Sequence, residues 1–184
     1  MEKIIPHFGA IDLAAPYRYY EADYDLESGG RWEEMDLSLA LYTTAPGQDG
    51  ACMRLPVRDL DPALLDRVAH FLEEIDSHIE RSRAALIADF HDGGVVRKQY
   101  IEHFLLTQPD LFEYRLERAD QALPLDERLL SMVQVNHISL HPLPDTPDLS
   151  FAVFRFGLDD YYTTSVIAVQ LNDDGSVRAL RIEH

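Results

Sequence analysis

Hydrophobic and polar residues alternate from Arg18 to Leu26. Tyr20, Ala22, Tyr24 and Leu26 fall on one side of an extended chain, and Glu21, Asp23, Asp25 and Glu27 on the other. A two-residue period of this kind predicts a strand with one face buried. Ser28-Gly29-Gly30 supplies a turn, and the alternation resumes from Arg31 to Tyr42, with Met35, Leu37, Leu39 and Leu41 on one face and Glu34, Asp36 and Ser38 opposite. Together the two runs predict a β-hairpin. A short strand around Phe8 to Leu13 precedes it. Thr43 to Asp59, which contains Pro46, Gly47, Gly50 and Pro56, reads as loop.

At Asp61-Pro62 the pattern changes to a helix start, with Asp as N-cap and Pro in the first turn. Leu65, Val68, Leu72, Ile75, Ile79, Leu86 and Phe90 follow a helical period, with a gap near Ser82 and Arg83 that predicts a bend or break there. Asp92-Gly93-Gly94 ends the run. A second helix is expected over Val95 to Leu106, with Val96, Tyr100, His103 and Phe104 sharing a face, and a third from Pro109 to about Ala119. A short helical turn follows Asp126. Strand patterns then return at Met132 to Leu140, Ser150 to Phe156, Thr164 to Leu171 and Ser176 to Ile182. The last two flank Asn172-Asp173-Asp174-Gly175, a hairpin connection. Val166 to Leu171 is apolar on both sides and belongs inside a sheet, whereas Arg178 and Arg181 mark the final strand as an edge. Strands and helices that segregate along the chain predict an α+β fold: an N-terminal β-hairpin, central helices and C-terminal antiparallel strands, giving a mainly antiparallel sheet with helices on one face. One domain over residues 1–184 accommodates this.

Charge narrows the function classes. The chain has 33 Asp and Glu against 16 Lys and Arg, a net charge of −17, and every successive fifty-residue block is negative. Nucleic acid and anionic membranes demand clustered Lys and Arg, so neither is an expected partner. The longest uncharged segment, Leu129 to Pro144, is too short and too polar to span a bilayer. Met1 to Tyr17 carries Pro6, His7 and Asp12 where a signal peptide needs an apolar run. Cys52 is the single cysteine, which excludes an intrachain disulfide and fits a reducing cytoplasm.

Motifs for catalysis are absent. There is no nucleophile elbow, no glycine-rich phosphate loop and no paired Cys/His spacing. Cys52 reads as a small buried residue. His137 and His141 would lie about 13 Å apart along a strand, too far for one metal. His70 and His78 would lie roughly 12 Å apart along a helix. Asp89, His91, Asp92, Glu102 and His103 form the best cluster on paper, yet capping and a semi-buried His103 beside Tyr100 and Phe104 account for them. No cofactor, metal or catalytic residue is therefore assigned.

The hairpin carries the sharper signal. A turn at Ser28-Gly29, or over Glu27 to Gly30, sets Asp23 opposite Glu34 and Glu21 opposite Asp36, so like charges face each other. A basic protein would relieve that repulsion, and Glu21, Asp23, Asp25, Glu34 and Asp36 are the expected partner-binding residues of a non-enzymatic protein of immunity or inhibitor type. The alternative is an enzyme or small-molecule or metal binder with a pocket between helices and sheet, using His91, Glu102, His103 and tyrosines. A homodimer is compatible with either.

Phe8-Gly9-Ala10-Ile11-Asp12-Leu13 followed by Tyr19-Tyr20 resembles the opening of a bacterial family catalogued as a domain of unknown function. Trp32 to Leu41, Tyr100-Ile101-Glu102-His103, and Phe151-Ala152-Val153-Phe154 through Ser165 to Ile182 are similar to later segments of that family. The likeness spans nearly the whole chain. Arg155 departs from it, standing where the family has an acidic residue. The resemblance implies a small cytoplasmic α+β protein and brings no functional residues with it.

Overall fold

The computed structural model describes residues 2–15, 18–28, 31–46, 52–57, 60–107, 116, 120–143, 150–158 and 165–184. The helix expected from Pro109 to Ala119 lies outside them except for Leu116, as do the turn glycines Gly29-Gly30 and the side chain of Cys52. The fold is α+β. β1 (Glu2–Ile5) and β2 (Gly9–Asp12) form an antiparallel ribbon. β3 (Tyr19–Ser28) and β4 (Arg31–Ala40) are the predicted hairpin. β5 (Tyr42–Pro46) and β6 (Cys52–Pro56) pair as a second ribbon in the stretch expected to be loop. Its prolines, Pro46 and Pro56, sit at strand ends, where the missing N–H costs no ladder bond.

Two helices follow, α1 (Pro62–Glu73) and α2 (Ile75–His91), with Asp61 accepting the Ala63 N–H at 2.9 Å as the predicted N-cap. The break falls at Glu74 instead of Ser82–Arg83. Both remain in continuous helix: Ser82 is small enough to be fully buried in the helix–sheet contact, and Arg83 reaches a carboxylate on β4. A π-helical turn over Val96–Ile101 leads into α3 (Glu102–Thr107). The wider turn shifts the helical phase. Ile101 therefore joins Val96, Tyr100 and Phe104 in the core, and His103, expected to be semi-buried, is exposed. Asp89 holds the entry to this turn by accepting the Val96 N–H at 2.7 Å, and it approaches Gly94 so closely that a Cβ there would lie 2.1 Å from its carboxylate.

After α4 (Leu125–Met132) come β7 (Gln134–Leu140), β8 (Ala152–Gly157), β9 (Val166–Leu171) and β10 (Val177–Glu183). They join β4 and β3 in a six-stranded sheet of order β10-β9-β8-β7-β4-β3. Every pairing is antiparallel except β4 with β7, which is parallel over Asp36↔His137 to Leu39↔Leu140. As expected, β9 is internal and β10 is an edge.

One face of the sheet meets the helices. Leu37, Leu39, Ile138, Leu140, Phe154, Phe156, Ile167 and Val169 project from it into a continuous core with Leu65, Phe71, Leu72, Ile79, Leu86 and Phe90 of α1 and α2. Polar contacts fix the surrounding pieces. Buried Arg18 donates to the carbonyls of Asp12 (2.7 Å), Leu13 and Val57 (3.1 Å), which gathers the two ribbons around the start of β3. The Tyr24 hydroxyl donates to Asp76 in the first turn of α2. Burial first, and then the Asp76 carboxylate, push that phenol above its ordinary pKa. Among the described residues no helix is long and apolar enough to cross a membrane.

Candidate binding face

Strand alternation sends every second side chain of the sheet to the face turned away from the helices. On the hairpin these are Glu21, Asp23, Asp25, Glu34 and Asp36, and all five are exposed. The register differs from the expected one by two residues. Asp23 stands opposite Asp36, Asp25 opposite Glu34, and Glu21 opposite Ser38, because residues 29–30 alone connect Ser28 to Arg31. A shift of two preserves parity, so like charges still confront each other in changed pairs. Among the described residues none of the five carboxylates forms an ion pair.

Parallel pairing of β4 with β7 extends this acidic surface into a polar network that sequence reasoning did not assemble. His137 lies beside Asp36, and its Nε2 is 3.2 Å from the Ser38 hydroxyl. Arg155, opposite His137 on β8, donates to the Ser139 hydroxyl and, through Nε, to Glu183 Oε2 at 2.8 Å. Arg181 donates to Glu183 Oε1 at 2.8 Å. Burial, and secondarily Arg155, hold the His137 imidazole below its ordinary pKa, while Asp36 and Glu21 pull weakly the other way. His141 is lowered by the same causes, burial first and then Arg155 and His137. Burial raises the Glu183 carboxyl, but Arg155 and Arg181 outweigh it, and the net shift is downward. At neutral pH the network thus holds neutral imidazoles and an ionised carboxylate. The available signal was the alternation of His137 and Ser139 with Ile138 and Leu140, and an arginine in the apolar run Phe151 to Phe156.

Two depressions flank the Asp36–His137 pair. One, of about 360 Å³, is lined by Glu21, Asp23, Asp36 and His137. The other, of about 570 Å³, is lined by Glu34, Asp36, Asn136, His137 and Arg155. Three carboxylates and an imidazole give the first a lining suited to an ammonium or guanidinium group, whereas the second also holds the Arg155 guanidinium. Among the described residues no three His, Cys, Asp or Glu side chains come close enough to hold a metal ion.

The residues of the alternative pocket are dispersed. Asp89 caps the π turn, Glu102 lies 3.6 Å from Arg97, and His103 edges the Phe104 ring. His91 lines a cavity of about 350 Å³ between α2, α4 and the sheet, together with Arg83, Leu86, Leu130 and Phe156; Glu102 and His103 are not part of it.

No protein-family model, curated protein or solved structure matches the chain. The resemblance of its opening and closing segments to a family therefore carries no weight for function, which rests on this face alone.

Proposed function

We propose that this is a non-enzymatic, cytoplasmic binding protein that docks a basic protein partner on the acidic hairpin face, in the manner of an immunity or inhibitor protein neutralising a cationic target. The supporting observation is the cross-strand opposition of Asp23 to Asp36 and of Asp25 to Glu34, exposed on one face. Each like-charge pair costs about 0.2–1 kcal/mol, which a cationic side chain between the strands relieves. Lys or Arg of the partner would seat in the depression lined by Glu21, Asp23 and Asp36, with neutral His137 accepting a hydrogen bond. Charge complementarity of this type chiefly raises the association rate and makes it salt-dependent. The single cysteine fits the reducing compartment. Affinity capture with the purified protein at low and high salt tests the reading, with Asp23→Lys/Glu34→Lys alongside. A basic partner retained at low salt, released at high salt and lost to the double variant is expected. A partner indifferent to both changes overturns the proposal.

A further inference from the structure

β3 is the last strand of the sheet. β4 pairs with one of its edges without interruption from Tyr19↔Ala40 to Ser28↔Arg31, and among the described residues nothing pairs with the other. Ten residues at about 3.4 Å each give a free edge of roughly 34 Å with outward N–H and C=O groups. Such an edge templates pairing with another chain unless it is blunted. The opposite edge is blunted: β10 is shorter, its register shifts between Val177 and Ala179, and Arg181 and Glu183 pair with each other on it. The run Tyr19–Ser28 holds no proline, lysine or glycine, and its pairing with β4 has no bulge.

Apart from the His7 ring set edge-on against Tyr24, the strand is guarded by the exposed row Glu21, Asp23, Asp25 and Glu27. That row decides which strand can add. A second copy pairing through β3 would lay acid beside acid along the whole edge. A strand with Lys or Arg at alternate positions would meet each carboxylate with a cation. Its intervening side chains would fall beside Tyr20, Ala22 and Tyr24, which are only half-buried.

Resting on the function proposed above, we infer that the free edge of β3 is a strand-addition site. It takes an extended segment of the basic partner in which Lys or Arg alternates with apolar residues. Main-chain hydrogen bonds supply affinity and the alternate cations supply specificity.

The probe is an acetylated, amidated octapeptide alternating Lys and Val, compared with the same peptide methylated at every backbone nitrogen. Both carry the same charge, but the methylated form cannot donate to the edge. Fluorescence anisotropy with the full chain should show the unmodified peptide binding at least tenfold more tightly. Amide hydrogen exchange should slow at alternate residues of Tyr19–Ser28. Equal, salt-sensitive binding of both peptides would overturn strand addition and leave the acidic face as a charge receptor. Binding of neither would overturn both readings. Concentration-dependent dimerisation with the same protection pattern, in the absence of peptide, would assign the edge to a second copy and overturn the inference.

Discussion

Glu33 sits on β4 in the phase that faces the core, with a side chain only 2% exposed. An ionised carboxylate there is tolerable only because Arg83 Nη2 reaches both of its oxygens, at 3.0 and 2.9 Å. Removing one partner of such a pair leaves a buried charge and costs about 3–5 kcal/mol, whereas replacing both with apolar residues of similar volume is often neutral. Arg83→Ala should therefore lower the urea midpoint markedly, and Glu33→Leu/Arg83→Met should restore most of it. Equal losses from the two variants would show that the pair does not act as a charge couple. This contact also shows how sequence reading fails at single residues. The polar gap at Ser82 and Arg83 is visible as a lapse in helical hydrophobicity and by itself predicts a bend. Its cause is a polar partner fifty residues away on a strand, which no local window contains.

Elements were legible wherever one face of a segment is buried. The β3–β4 hairpin, the β9–β10 hairpin, the N-cap at Asp61 and the stop after His91 all follow from alternation, helical period and capping chemistry. The β5–β6 ribbon was not, since short proline-flanked strands outside the main sheet bury too little to imprint a period. The phase of α3 was missed because the π turn inserts residues that a 3.6-residue count cannot anticipate. Of the candidate face, the five hairpin carboxylates were legible. His137, Ser38, Arg155 and Glu183 were not, because their meeting depends on which strand neighbours β4. The β9–β10 turn yields a test at this scale. Gly175 has φ of +71°, its carbonyl accepts from Arg81 at 2.7 Å, and a Cβ there would lie 2.1 Å from the His78 ring. Gly175→Ala should cost more than about 1 kcal/mol by backbone strain alone. Adding His78→Ala should recover only the steric part of the loss. An unchanged melting temperature for Gly175→Ala would contradict both the left-handed backbone at Gly175 and its seat against His78.

Across the whole molecule, burial sets the response to acid. His78, His137 and His141 are all held below the ordinary value of 6.5, with burial the leading cause in each. A group whose pKa is lower in the folded state binds fewer protons there than in the unfolded chain. Stability is then fully present above the unfolded value and falls as pH drops through 6.5 toward the depressed folded values. Urea unfolding should give a lower midpoint at about pH 5.5 than at about pH 7.5, and His78→Gln/His137→Gln should flatten that difference. The window lies above the range where carboxylates titrate, so relief of the −17 charge does not mask the effect. A flat profile in the unmodified protein would contradict the burial of the imidazoles.

The parallel joint between β4 and β7 has a kinetic consequence. Every antiparallel ladder of the large sheet links strands consecutive in sequence, whereas Asp36 and His137 are 137 − 36 = 101 residues apart. Closure entropy grows only logarithmically with loop length, by about 0.6 kcal/mol per doubling, so this separation takes little from equilibrium stability. Folding rates, by contrast, fall steeply as contacts become less local. Among the strand pairings of the large sheet, the joint that carries Asp36 to His137, and with it the two depressions of the candidate face, is thus the least local. Pairing of β4 with β7 is what joins the two antiparallel halves of the sheet, and with them the two sides of the face.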